Sequence, residues 1–186
     1  MVDPAKRKSS YEDLCRLPDN MVGEIVNGDL IATPRPLYRH GNVASGLGMA
    51  IGPPYHYGRG GPGGWWILDE PEIHLGKHVL VPDLAGWRKE RMPSLPEEHW
   101  TSLPPDWICE ILSKHTAHLD RVRKMPVYAE FGVPSVWIVD PANKALEVFR
   151  LESGRWVLRA SFAQCDKAAA EPFQEVEIDL GALWGD

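Results

Sequence analysis

The chain has 186 residues, of which 44% are hydrophobic and 25% charged, and a net charge of −6 at pH 7. That balance excludes a disordered or collagen-like chain, and no apolar run approaches the ~20 residues of a membrane-spanning helix. It also argues against a protein that coats nucleic acid indiscriminately, which requires a basic excess.

The length suits one domain, residues 1–186, with one core. The N-terminal stretch MVDPAKRKSSYEDL has basic residues but no apolar segment behind them, so no secretion signal is expected. Cys15, Cys109 and Cys165 are odd in number and widely spaced, which predicts free thiols and a cytoplasmic location. Eight tryptophans could fill a core or a subunit interface, and the sequence leaves both open.

In chain order, residues 9–17 predict a short helix with a serine cap, early acids and Pro18 as its stop. GEIVNGDLIATP follows, where Asn27-Gly28 between β-prone runs predicts a two-residue hairpin. Residues 38–51 predict a second helix, and GPPYHYGRGGPGG a loop. WWILDEPEIHL and HVLVPDLAGW predict two strands meeting at Gly76-Lys77. Residues 88–105, with Pro93, Pro96, Pro104 and Pro105, predict a long polar connection. DWICEILS reads as a buried strand and HTAHLDRVRKMPVYAEFGV as a helix stopped by Gly132. SVWIVDP, ALEVFRL, RWVLRASF and FQEVEIDL read as strands. Strand, helix and strand over 106–139 predict a crossover and a parallel pair, and the later strands an antiparallel meander.

Glu110 is the most informative residue. It lies in Trp107-Ile108-Cys109-Glu110-Ile111-Leu112, apolar on both faces, where a carboxylate is costly without a cation or donor. Asp83 ends a similar run, although an aspartate after proline is often only a turn former. Two acids on two buried strands are what a hard divalent cation requires. Asp120, Arg121, Lys124 and Tyr128 recur at spacings of three and four and share a polar face, with Leu119, Val122, Met125 and Ala129 expected on the buried side. Pro126 removes an amide there, so a kink or early irregularity is expected. His74 and His78, His115 and His118, and His40 read as ordinary structural or surface histidines, with no third zinc ligand in sight. The chain has no nucleophile elbow, phosphate loop or dinucleotide fingerprint.

Val81-Pro82-Asp83-Leu84-Ala85, Ile108-Cys109-Glu110-Ile111-Leu112-Ser113 and Asp120-Arg121-Val122-Arg123-Lys124, followed by Tyr128, Gly132-Val133 and Trp137-Ile138-Val139-Asp140-Pro141, together resemble the Uma2 family of the PD-(D/E)XK nuclease superfamily. The resemblance implies an α/β (α+β) fold with a restriction-endonuclease-like core: a mixed central sheet flanked by helices, an N-terminal hairpin and a C-terminal meander. It implies a metal-dependent endonuclease acting on DNA, with Mg²⁺ or Mn²⁺ held by Asp83, Glu110 and the Ile111 carbonyl. Lys124 would assist the attacking water, and Glu24 matches an extra N-terminal acid that can join the metal site. Two positions depart from the pattern. Leu112 stands where the superfamily's signature has its lysine, and Ser113-Lys114-His115-Thr116 replaces the usual Ser-Pro-Ser-Thr, which makes Lys114 a reserve for the catalytic lysine. Glu70 and Glu72 are near Asp83 in the presumed sheet but are not expected as ligands. A homodimer presenting two sites to two strands is a further expectation. The alternative is a catalytically inactive module of the same fold that binds nucleic acid or protein.

Overall fold

The computed structural model describes residues 8–113 and 116–185. Helix α1, Tyr11–Cys15, is shorter than expected, and Ser10 opens it in a reciprocal capping box with Asp13. Strands β1 (Met21–Val26) and β2 (Asp29–Pro34) form the hairpin. Asn27 and Gly28 both take positive φ, 57° and 85°, as the tight twist-matched hairpin turn demands. Helix α2, Tyr38–Ile51, buries Val43, Leu47 and Ile51, one turn apart on one face.

The expected loop after α2 instead begins as a π-helical turn, Gly52–His56. Pro53 and Pro54 cannot donate to the preceding turn, and the Tyr57 amide reaches back five residues to the Gly52 carbonyl at 3.2 Å. The next two expected strands are each broken in two. They form β3 (Trp65–Asp69), β4 (Glu72–Leu75), β5 (His78–Leu80) and β6 (Leu84–Arg88). The breaks fall at Glu70-Pro71, where Glu70 has a φ of 43°, and at Val81-Pro82-Asp83. Proline cannot donate to a ladder, so each break passes the chain from one sheet to the other.

The long connection contains a two-residue strand, β7 (Trp100–Thr101), and leads to β8 (Trp107–Ile111). The meander is β9 (Ser135–Asp140), β10 (Ala145–Glu152) and β11 (Arg155–Ala163). One sheet has the order β2-β1-β5-β4-β7 and the other β11-β10-β9-β8-β6-β3. In the second, β8 and β9 are parallel across the expected crossover, and the other neighbours are antiparallel. The fold is therefore mixed α+β, with its strands divided between two large sheets.

FQEVEIDL, expected as a strand, pairs only through β13 (Ile178–Asp179) with β12 (Lys167–Ala168). Its alternation is satisfied by packing instead: Phe173 lies among Tyr55, Trp65, Trp107 and Trp137, with ring centroids 4.7–5.6 Å away. Trp65, Trp87, Trp107, Trp137 and Trp184 are all buried, so most of the tryptophans fill the core.

β8 fixes the position of the site. Trp107, Cys109 and Ile111 enter the core cluster containing α2, whereas Ile108 and Leu112 enter the other, with Met125, Val127 and Tyr128. Strand alternation therefore turns Glu110 toward the segment after β8. The expected single helix there is a π-helical turn, Leu119–Lys124, running into α3, Met125–Glu130. The Met125 amide bonds to the Asp120 carbonyl five residues back, immediately before the amide that Pro126 lacks. The widened turn rephases the faces. Asp120, Lys124 and Tyr128 are buried beside Leu119 and Met125, while Val122, expected inside, is 55% exposed.

Candidate active site

Three acidic side chains meet one ammonium at the floor of a cleft of about 700 Å³, and a fourth, Asp83, lines the same cleft. Lys124 Nζ lies 2.8 Å from Glu110 Oε1, 2.9 Å from Glu24 Oε1 and 3.6 Å from Asp120 Oδ1. The Tyr128 hydroxyl donates to Glu110 Oε1 at 2.5 Å, and the Val81 amide donates to Glu24 Oε1 at 2.8 Å. Asp83 sits in the break before β6, whose register sets Leu84 opposite Cys109 of β8. Its Oδ2 accepts the Ile111 amide at 2.6 Å, and its Oδ1 is 3.1 Å from His40 Nε2 on the first turn of α2. Asp83, Glu110 and Ile111 thus converge, with Lys124 and Glu24 beside them. Lys114 and His115 lie outside the described residues.

The electrostatics are strained. Burial pushes the Glu110 carboxyl well up, the neighbouring Lys124 pulls it back, and Asp120, Asp83 and Glu24 push it up again. Burial likewise raises Asp120, to about 6, against the pull of Lys124 and a hydrogen bond from Thr116. Lys124 loses hydration, which favours its neutral form, but Glu110 and Glu24 outweigh that and hold it charged. His40 follows the same logic: desolvation lowers it, the Asp83 hydrogen bond and charge raise it, and the net direction is up. Counting Glu24, Asp83, Glu110 and Asp120 against Lys124 and a protonated His40, the ionised cluster carries a surplus of two negative charges. Interiors tolerate such a surplus poorly, and perturbed groups lining a cleft mark functional sites.

These groups fit a hard divalent cation. The donors are all oxygen, as Mg²⁺ and Mn²⁺ prefer, and the surplus charge matches one such ion. Both the Tyr128 hydroxyl and the Lys124 ammonium meet Glu110 at its Oε1. The His40 imidazole is engaged through Nε2 by Asp83, and its buried Nδ1 has no hydrogen-bond partner among the described residues. Among the described residues no three His, Cys, Asp or Glu side chains are already arranged around an ion position.

The Uma2 family, described as "putative restriction endonuclease", matches residues 9–181. The chain belongs to the Uma2 family. A solved structure titled as a putative nuclease belonging to DUF820, from Anabaena variabilis, superposes with a TM-score of 0.71. It is 19% identical, and the match covers 95% of this chain and 97% of that one. At that identity the likeness bears on fold alone. Among curated proteins no relative matches this chain.

Within this Uma2 chain, sequence reasoning undervalued Asp120 and His40. Asp120, Lys124 and Tyr128 follow one another at intervals of four, and that spacing was the available signal. His40 gave none, because its partner Asp83 is brought to it by the strand break. Of the acids near Asp83 in sequence, Glu70 lines the cleft. Glu72 instead accepts from Tyr11 and contacts His74, each at 2.7 Å. His74 stacks on Trp100, and His78 is buried and accepts the Asn27 amide through Nδ1, both structural roles.

Proposed function

We propose that this chain is a metal-dependent phosphodiesterase acting on DNA, an endonuclease, with Asp83, Glu110 and the Ile111 carbonyl as ligands for Mg²⁺ or Mn²⁺. The observation that carries the reading is the surplus of buried carboxylate around one lysine at the floor of a cleft. Family membership supports nuclease chemistry as the purpose of that arrangement. A bound divalent ion would polarise the scissile phosphate and lower the pKa of an attacking water.

The chain's own groups have separable tasks. Lys124, fixed between Glu110 and Glu24, offers N–H donors to the attacking water and positive charge to the phosphorane. Tyr128 holds the Glu110 carboxylate in one orientation, and the Ile111 amide does the same for Asp83. Glu24, tied down by the Val81 amide, keeps the lysine from collapsing wholly onto Glu110. His40 neutralises Asp83 Oδ1.

A second reading, an inactive nuclease-fold module that binds nucleic acid or protein, has one observation in its favour: Lys124 and His40 already neutralise Glu110 and Asp83. Nicking of supercoiled plasmid separates the two. The enzyme reading expects nicking with Mg²⁺ or Mn²⁺ and none with EDTA. Asp83→Asn and Glu110→Gln should each slow it by about 10²–10³-fold, the loss typical of removing one transition-state stabiliser. Wild-type rates in both variants, or nicking indifferent to EDTA, would remove these residues from the chemistry.

A further inference from the structure

In a chain of net charge −6, a polyanion can be met only where acids are locally scarce, and they are unevenly spread. Residues 30–68 contain no aspartate or glutamate and three arginines. This stretch includes the glycine-rich loop between the π-helical turn Gly52–His56 and β3. The loop is pinned. The Arg59 amide donates to the Pro53 carbonyl at 2.8 Å, and the Gly63 amide to the Pro54 carbonyl at 2.9 Å. The Lys89 amide, just past β6, donates to the Gly64 carbonyl at 2.8 Å. A Cβ on Gly61 would come within 2.4 Å of Pro54 Cβ, so only glycine permits this close packing.

The three cation–π contacts among the described residues all fall here. Arg59 lies over Tyr57 at 5.3 Å, Arg88 over Trp65 at 4.6 Å and Lys89 over Trp66 at 4.2 Å. The His56 ring, 4.5 Å from Tyr57 and 5.5 Å from Trp66 between centroids, links two of the pairs. Its Nδ1 accepts the Ile67 amide at 3.1 Å, on the outer edge of β3. Most arginines among the described residues pair with carboxylates, but Arg59, Arg88 and Lys89 pair with none among those residues. Lys89 is half-buried and donates to the His56 carbonyl at 3.0 Å, whereas Arg59, Arg88 and Tyr57 are exposed. Counting Glu90, the next residue, against the three cations leaves a surplus of two positive charges. A guanidinium lying on a ring spends its flat face there and keeps its N–H edge for an oxyanion.

The patch is separate from the cleft. Arg88 ends β6 and Asp83 precedes its start, a separation of about 17 Å at about 3.4 Å per residue. A DNA strand spans that with about five phosphates. From this we infer that the exposed loop end of β3 and β6 is a second nucleic-acid contact, outside the candidate active site, where Arg59 and Arg88 meet two backbone phosphates and Lys89 adds charge. The inference rests on the nuclease reading for its choice of phosphates over the carboxylates of an acidic peptide. Backbone phosphates carry no sequence information, so the contact is indifferent to base sequence.

The test measures anisotropy in EDTA with a fluorescein-labelled 20-base-pair duplex, one of its strands, and a 20-residue polyglutamate peptide. The double variant Arg59→Gln/Arg88→Gln should bind the DNA form that wild type prefers about tenfold more weakly at low salt. Its log–log salt slope should flatten by about 1.8 on the duplex or about 1.4 on the strand, the share of two phosphates. A second DNA sequence should show the same loss, and Arg59→Lys/Arg88→Lys should restore the slope. In Mn²⁺-dependent plasmid nicking the loss should appear in KM rather than kcat. Arg88 covers Trp65, so circular dichroism accompanies each variant. Arg59→Glu, at an exposed pair, carries the test by itself if the double variant fails to fold, with the same direction of effect. Unchanged DNA affinity and salt slope in folded variants would overturn the inference and leave the nuclease reading intact. Loss of polyglutamate binding alone would do the same. Variant-sensitive DNA binding without nicking would sustain the inference while removing the catalytic reading. No DNA binding by wild type would overturn the inference, and no nicking besides would overturn both.

Discussion

Asp120→Asn should make the metal-free protein more stable at pH 8. Asp120 is 3% exposed, and its carboxyl is pushed from an ordinary 3.8 to about 6, by burial before any other cause. The folded state therefore holds that proton more tightly than the unfolded chain. Stability attributable to this group is intact below about pH 4 and falls as pH rises through 6. Above pH 6 the ionised carboxylate costs about 3 kcal/mol, at about 1.36 kcal/mol per pH unit. Asparagine keeps the shape and an acceptor for Thr116 but never ionises. Thermal unfolding in EDTA should show wild type and variant close together at pH 4. By pH 8 the variant should melt about 6–12 °C higher, taking about 2–4 °C per kcal/mol for a chain of this length. A variant that melts lower at pH 8, or by the same margin at every pH, would refute the claim that burial and crowding strain this carboxylate.

Two further outcomes follow from the same cluster. Tyr128→Phe removes the hydroxyl that donates to Glu110, and hydrogen bonds to charged groups contribute about 1.5–3 kcal/mol; urea unfolding should show a loss of that size, with kcat reduced as Glu110 loosens. His40, raised overall by Asp83 despite its desolvation, contributes stability that is complete below the unfolded pKa and lost as pH climbs through the folded one. His40→Gln should therefore be destabilised most near pH 5.5, with the gap to wild type closing toward pH 9 in thermal melts; a gap that widens with pH would contradict the His40–Asp83 pairing.

Much of the fold was legible from local pattern. The Asn27-Gly28 turn, the buried run at β8 and the Gly132 stop behave as short-range chemistry dictates. Three of the misreadings share one cause: proline acting on a hydrogen-bond ladder. Pro71 and Pro82 lie inside runs whose hydrophobicity reads as continuous strand, and both runs divide between sheets. Pro126 was expected to bring a kink or early irregularity, and the π-helical turn before it is one, but its turning of the supposed wet face inward was not foreseen. Glu110 was visible because a carboxylate in an apolar strand is anomalous wherever it occurs. His40 was not, because a histidine at a helix start is unremarkable until tertiary structure brings Asp83 to within 3.1 Å.

Direct titration of Mn²⁺ into the metal-free protein, followed by calorimetry and by the loss of the free-ion paramagnetic resonance signal, tests the central claim without relying on turnover. One saturable ion per chain is expected, with binding abolished by Asp83→Asn and by Glu110→Gln while both variants keep the wild-type circular dichroism spectrum. Absence of a bound ion in the wild type, or undiminished binding in both variants, would contradict the assignment of these oxygens to a divalent cation.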